Sequence, residues 1–387
     1  MPNVPNEPNS SSAPVSVVGP PTVRGAAPGI ALCLSGGGYR AMVFHVGALW
    51  RLNEAGLLGK IDRISSVSGG SITAGVLGMN WSELGFDSGG VAMRFNEQVV
   101  APIRRLAGTT IDVWAILAGI LMPWVSIGDR VAASYGKCLF GRKTLQDLPD
   151  KPQFVINATN AQSGALWRFM KPYMRDYRVG EVRRPTISLA TAVAASSAFP
   201  PVLSPVRLKL RSDQFTPNTG EDLQHEPFTS LVVLADGGVY DNLGLETAWK
   251  RFQTVLVSDA GAKMAAERRP KGDWARQSLR VLDIIDNQVR SLRKRQLIDS
   301  YNSGQRQGAY WGIQSDITNY RIANALPCPI DRTMELATVP TRLKRLDSVL
   351  QDRLINWGYA VADAALRAHL VPTLAAPIGF PYPGSGV

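Results

Sequence analysis

Ser68 sits in the run Ser66-Val67-Ser68-Gly69-Gly70, after a strand-like segment at residues 61–67 and before a helix-forming segment at residues 71–79. A serine on a tight strand-to-helix turn presents its hydroxyl for nucleophilic attack. Small neighbours let the backbone pass, and the helix N-terminus favours negative charge beside the oxygen. Alone, a Ser-x-Gly after a strand is more often an ordinary turn, so the residues that accompany it decide.

Gly36, Gly37 and Gly38 close an earlier apolar strand at residues 30–34, and three chemistries compete for them. A phosphate-binding P-loop needs Gly-Lys-Ser/Thr, which is absent. A dinucleotide site fits the spacing Gly36-x-Gly38-x-x-Ala41 but wants an acid at the end of the second strand, where this chain has Ser68. An oxyanion hole needs successive N–H groups turned to one oxygen, which glycines permit, and a serine at the neighbouring strand end favours it. Asp236 follows the apolar run 231–235 and precedes Gly237-Gly238. It is a turn former or a base at a strand end, the usual edge of a site in an α/β sheet. Histidine is the common partner of a serine nucleophile, yet His45, His225 and His369 lie in no motif. No His/Cys pair or acidic loop has metal-ligand spacing, so no metal or cofactor is expected.

The elements that must position these residues are legible as patterns. Residues 41–54 repeat Met42, Val46, Leu49 and Leu52 at helical spacing. The start of the chain therefore reads strand, loop, helix, strand, loop, helix, as in a parallel α/β sheet. Residues 154–159, 206–210, 230–234 and 255–258 read as strands, and 165–170 as the hairpin partner of the first. Residues 274–300 read as a long basic helix with Leu279, Leu282, Ile285, Val289 and Leu292 on one face, and 341–370 as a final amphipathic helix. Residues 1–29 form a flexible arm without a secretory core, 30–371 one domain with a helical insertion or lid at 81–148, and 372–387 a loosely ordered tail. Residues 113–127, with Trp114 and Trp124, are too short to span a bilayer. They read as a buried helix, or as a lid or interfacial anchor.

Three cysteines scattered through the chain argue against a disulfide framework and for a reducing, cytoplasmic setting. The net charge of +11 favours an anionic partner. Without a zinc-finger spacing, a basic tail or an RNP-like strand, a membrane surface is expected rather than nucleic acid.

In order, the boxes Gly36-Gly37-Gly38-Tyr39-Arg40-Ala41, Ser66-Val67-Ser68-Gly69-Gly70, Ala195 to Pro201 and Asp236-Gly237-Gly238 resemble those of the patatin-like phospholipase family, with Ala41 and Ser66 in place of two family glycines. The resemblance implies a three-layer α/β/α sandwich with a mostly parallel central sheet. It also implies hydrolysis of lipid acyl esters by a Ser68–Asp236 dyad without histidine, with Gly37, Gly38 and Gly69 around the oxyanion. Arg40 would meet a substrate phosphate or hold a structural salt bridge. A phospholipid is then the substrate and the enzyme a peripheral one. A non-catalytic scaffold on the same fold, or a membrane-degrading effector silent until signalled, are the alternatives, and the intact Ser68 and Asp236 argue against the first.

Overall fold

The computed structural model describes residues 26–111, 127–200 and 203–387. The expectations for residues 1–25 and for most of the segment 113–127 therefore lie outside the described residues. β1 (Ala27–Leu34) leads to α1 (Gly38–Glu54), and β2 (Arg63–Val67) to α2 (Gly69–Met79). α3 (Ala101–Ala107) and α4 (Ile127–Tyr135) follow, then β3 (Gln153–Asn160), β4 (Leu166–Phe169), β5 (Tyr173–Asp176) and β6 (Gly180–Arg183). Next come α5 (Leu189–Ser196), β7 (Val206–Lys209), β8 (Phe215–Thr216) and β9 (Leu231–Asp236). The last third holds α6 (Gly238–Asp241), α7 (Glu246–Trp249), β10 (Phe252–Asp259), α8 (Trp274–Asn302), β11 (Gln307–Gly312), α9 (Ile330–Ala337) and α10 (Ser348–His369).

The strands form one sheet in the order β11-β10-β1-β2-β3-β4-β5-β6-β8. Neighbours are parallel from β11 to β3 and antiparallel from β3 onward. Alternation along β1 shows the layering. Leu32 and Leu34 join the main core under α1, α2 and α10, while Ala31 and Cys33 join a smaller core with Ala248 of α7 and Leu297 of α8. A strand buried on both faces has to be apolar throughout, as β1 is. The architecture is thus an α/β/α sandwich with a largely parallel centre.

Helices α1 and α10 touch backbone to backbone. A Cβ on Gly47 would lie 1.9 Å from the Ile355 carbonyl oxygen, and one on Gly358 2.0 Å from that of Phe44. A buried Arg51–Asp363 pair at 2.8 Å pins the same two helices.

The described part of 81–148 contributes Val99, Ile103, Leu106, Val131, Tyr135 and Phe140 to the main cluster. The tail after residue 372 is held down, because the buried Asn356 donates to the carbonyls of Tyr382 (2.8 Å) and Gly386 (2.6 Å) and accepts from Tyr382 N–H, and Val387 is buried. A buried amide needs its partners, and the tail supplies them. The apolar face of α8 is turned to solvent. Among the described residues no helix is long and apolar enough to cross a membrane.

Candidate active site

Strand β3 brings the nucleophile and acid candidates together. It pairs with β4 along one edge over Ile156–Thr159, so β2 and β9 share the other edge. On that edge Val67 of β2 pairs with Asn157, and Asp236 of β9 pairs with the next residue, Ala158. The two strands run in opposite directions and meet end to end, which makes Ser68, one residue past Val67, face Asp236.

Ser68 occupies φ 51°, ψ −119° at the N-cap of α2. This conformation is rare for a residue with a Cβ, at a cost on the order of 1–3 kcal/mol. The surroundings enforce it. A Cβ on Gly69 would lie 2.1 Å from the Gly38 carbonyl oxygen, and one on Gly70 2.5 Å from that of Leu34, so only glycines let the two loops pass. The N–H of Ser68 donates to Ser196 Oγ at 2.9 Å, Ser196 Oγ meets Ser71 Oγ at 2.8 Å, Ser71 donates to Ser66 Oγ at 3.0 Å, and Ser66 donates to the Val155 carbonyl at 3.2 Å. Ser66, in place of a family glycine, therefore fits as a fully partnered link in a serine chain that locks the turn.

The glycine loop divides its labour. The Gly36 N–H donates to the Asn242 carbonyl at 3.1 Å, so it is spent and does not serve as an oxyanion donor. Gly36 is there for space, since a Cβ would fall 2.4 Å from Asn242 Oδ1 and 3.2 Å from Ser68 Cβ. Gly37 (φ 147°) and Gly38 (φ 60°) turn the chain into α1. Among the described residues the N–H groups of Gly37, Gly38 and Gly69 have no protein acceptor. They stand at the N-termini of α1 and α2, where two helix dipoles favour negative charge.

Arg40 is a strut. Its buried guanidinium donates to the Ala260 carbonyl (3.1 and 2.9 Å), to Thr341 Oγ1 (3.1 Å) and to the Val339 carbonyl. Among the described residues it has no carboxylate partner, so the anticipated salt bridge is not the arrangement found, and although Arg40 lines the cavity with Ser68, its donors are engaged by the protein.

Asp236 is 2% exposed. Burial pushes its carboxyl up to about 7, against the opposing pull of the Gly238 N–H, which donates to Oδ1 at 2.6 Å, and of the Ser68 hydroxyl; Asp286 on α8 adds a further upward push. A carboxylate poised there at neutral pH is matched to proton transfer. Ser68 and Asp236 open into a cavity of about 400 Å³ walled by Phe199, the segment 261–265 and one face of α8.

The histidines stand apart from this cavity. His45 is buried in the main layer, with Nδ1 2.8 Å from Ser258 Oγ and Nε2 2.9 Å from the Ser35 carbonyl. Since the carbonyl only accepts, Nε2 carries the proton. Burial lowers its pKa to about 4, which keeps it neutral, and it holds the strand end from which the glycine loop springs. His225 is bonded to the Glu226 carbonyl, and His369 stacks edge-on against Tyr320 beside a different cavity. Sequence patterns gave no signal for His45, Ser196 or Asn242 as supports. Ser196 lies within the Ala195 to Pro201 box and Asn242 six residues beyond Asp236, but neither pattern signals the contact that the residue makes.

The family model described as patatin-like phospholipase matches residues 32–249. No curated protein matches. Among solved structures, human GIVD cytosolic phospholipase A2 in complex with methyl gamma-linolenyl fluorophosphonate is similar at 14% identity and a TM-score of 0.50, covering 90% of this chain and 58% of that one. Another structure of human GIVD cytosolic phospholipase A2 matches 61% of this chain and 46% of its own at 14% identity and TM-score 0.39. VipD from Legionella pneumophila matches at 15% identity and TM-score 0.35, covering 88% and 67%. The chain thus spans about half of the human enzyme's length, and at these identities the likeness speaks to the fold alone. With the family model covering more than half of the sequence, including the glycine loop, the Ser68 turn and the Asp236 box, the chain belongs to the patatin-like phospholipase family.

Proposed function

We propose that the protein hydrolyses acyl esters of phospholipids or lysophospholipids through Ser68 as nucleophile and Asp236 as base. The observation that carries this reading is Asp236 itself: a buried carboxylate facing the Ser68 hydroxyl, with its pKa held at about 7.

In the proposed reaction the Ser68 hydroxyl passes its proton to Asp236 as its oxygen attacks the ester carbonyl carbon. The tetrahedral oxyanion accepts hydrogen bonds from Gly37, Gly38 and Gly69 N–H. Its collapse breaks the bond to the lipid alcohol, which leaves with the proton from Asp236 and an acyl group on Ser68. Water, deprotonated by the same carboxylate, then releases the fatty acid. The strained turn supports this role, since it fixes the serine without a third catalytic side chain.

The test is labelling of the folded protein by an alkyl fluorophosphonate, with mass analysis of products from mixed phospholipids. Labelling and fatty-acid release should both vanish in Ser68→Ala, with a loss of ~100-fold or more in rate. Full activity in that variant sinks the assignment.

A further inference from the structure

Helix α8 is amphipathic in the reverse sense. Arg280, Asp283, Asp286, Asn287 and Arg290 line the cavity that holds Ser68 and Asp236. At helical spacing, Trp274, Val281, Leu282, Ile285, Val289 and Leu292 form one stripe on the opposite side, and all six are exposed, from 40% for Val289 to 83% for Trp274. The helix is moored at its other end, where Leu297 and Ser300 are buried and the Tyr301 hydroxyl donates to the Val255 carbonyl at 2.6 Å. No residue of the helix before Arg290 is buried. Exposed apolar patches of this extent mark an interaction site.

We propose that this stripe docks the protein onto an anionic phospholipid surface, with helix α8 lying between the lipid and the Ser68 cavity. The charges around the stripe select that partner. Arg268, Arg269 and Lys271 are exposed just ahead of the helix and Arg295 near its far end, and among the described residues none has an acidic partner. The helix's Asp283 and Asp286 lie on the cavity side, away from the apolar stripe. An apolar stripe with basic flanks lies in the plane of an anionic interface, and a tryptophan at its end suits the headgroup boundary. A second copy of the chain would set the same cations against each other. Stripe and cavity wall are opposite faces of one helix, which gives the docking its use, because a lipid leaving the bilayer would cross only the width of this helix. The inference rests on the reading of Ser68 only in taking lipid as substrate; docking itself is measured without catalysis.

The experiment uses the full chain as Ser68→Ala, with and without Leu282→Ser, Ile285→Ser and Val289→Ser, in cosedimentation with phosphatidylglycerol–phosphatidylcholine vesicles. The parent should bind these vesicles more tightly than pure phosphatidylcholine and release them as salt rises. The triple variant, whose changes are on solvent, should keep the parent's circular dichroism and bind about 1000-fold more weakly, since each side chain is worth roughly tenfold when inserted. With Ser68 restored, it should hydrolyse a water-soluble short-chain ester at the parent rate while losing hydrolysis of vesicle lipid. Equal vesicle binding by parent and triple variant overturns the proposal, as does a parent that binds no vesicles. So does a triple variant that only converts a dimer to a monomer by light scattering, which would make the face a contact between copies. Failure of the Ser68 reading appears separately, as a wild-type protein that neither hydrolyses the soluble ester nor takes the fluorophosphonate.

Discussion

Replacing Asp236 by Asn should destroy activity and stabilise the fold, and the second effect has a size set by the structure. The carboxyl is raised from 3.8 to about 7, chiefly by burial. A rise of roughly three units corresponds to about 4 kcal/mol between the two protonation states. The sign follows from linkage. The unfolded chain gives up this proton near pH 4 and the folded chain holds it until about 7, so the proton's contribution to stability is complete below pH 4. It is lost progressively between pH 4 and 7, and above that range the wild-type carries the full cost of a buried carboxylate. Asn keeps an oxygen to accept the Gly238 N–H and cannot ionise. The variant should therefore match wild-type near pH 4 and exceed it by about 4 kcal/mol at pH 8. With about 2.1 cal/mol/K of unfolding entropy per residue over 387 residues, that is a rise of roughly 5 °C in Tm. Calorimetry at pH 4, 6 and 8 beside ester hydrolysis is the assay. A Tm difference independent of pH would refute the burial argument, and an active variant would refute the assignment of the base.

The same carboxylate must be ionised to accept the Ser68 proton, so kcat/KM on a soluble ester should fall tenfold per pH unit on an acid limb centred near 7; a limb centred near 4 would mean that Asp236 is hydrated in the working enzyme. Gly69→Ala sets a methyl group 2.1 Å from the Gly38 carbonyl oxygen, so the glycine loop must move, and a ~100-fold loss in kcat is expected, read by steady-state kinetics on protein shown folded by its melting curve. His45→Phe leaves Ser258 Oγ and the Ser35 carbonyl short of a buried partner. Urea unfolding should show a loss of about 2–4 kcal/mol, while the acid limb stays where it was; its disappearance would make His45 the titrating base.

How the fold could be read depended on where the signal was local. β1 announces itself as an apolar run ending in glycines, because a strand buried on both faces favours apolar residues and the turn after it needs small ones, whereas β2 is buried throughout yet carries Arg63, Ser65 and Ser66. The Asp236 box is legible for the same reason as β1. The meeting of β2 and β9 on β3 is a pairing of distant segments, and nothing in either segment encodes it. The readings that changed were those where composition stood in for tertiary contact. Gly36 and Gly37 look alike in the sequence, yet Asn242 takes the N–H of Gly36 and leaves that of Gly37. Arg40 reads as a phosphate ligand until the carbonyls of Ala260 and Val339 are seen around it. The tail reads as loose because prolines and glycines dominate it, yet one buried amide, Asn356, ties it down. The 3.6-residue period of α8 was plain, but periodicity fixes that a helix has two faces and leaves open which one meets the core.

The proposed reaction has a carboxylate serve where a histidine is more usual, and the surroundings of Asp236 give that a physical reason. An exposed aspartate near pKa 4 is too weak a base for a serine hydroxyl, and the remedy is to withdraw water from it. Here the withdrawal comes from both sides of the sheet edge: β9 buries the residue at its strand end, and the 261–265 segment with α8 closes the space in front. A histidine in the same place would be driven the other way, because burial lowers its pKa, as it does for His45. Dryness that strengthens an aspartate as a base weakens an imidazole. In the proposed reaction, burial at the end of β9 is therefore what suits Asp236 to take the Ser68 proton, while the charged residues of α8 line the space in front of it.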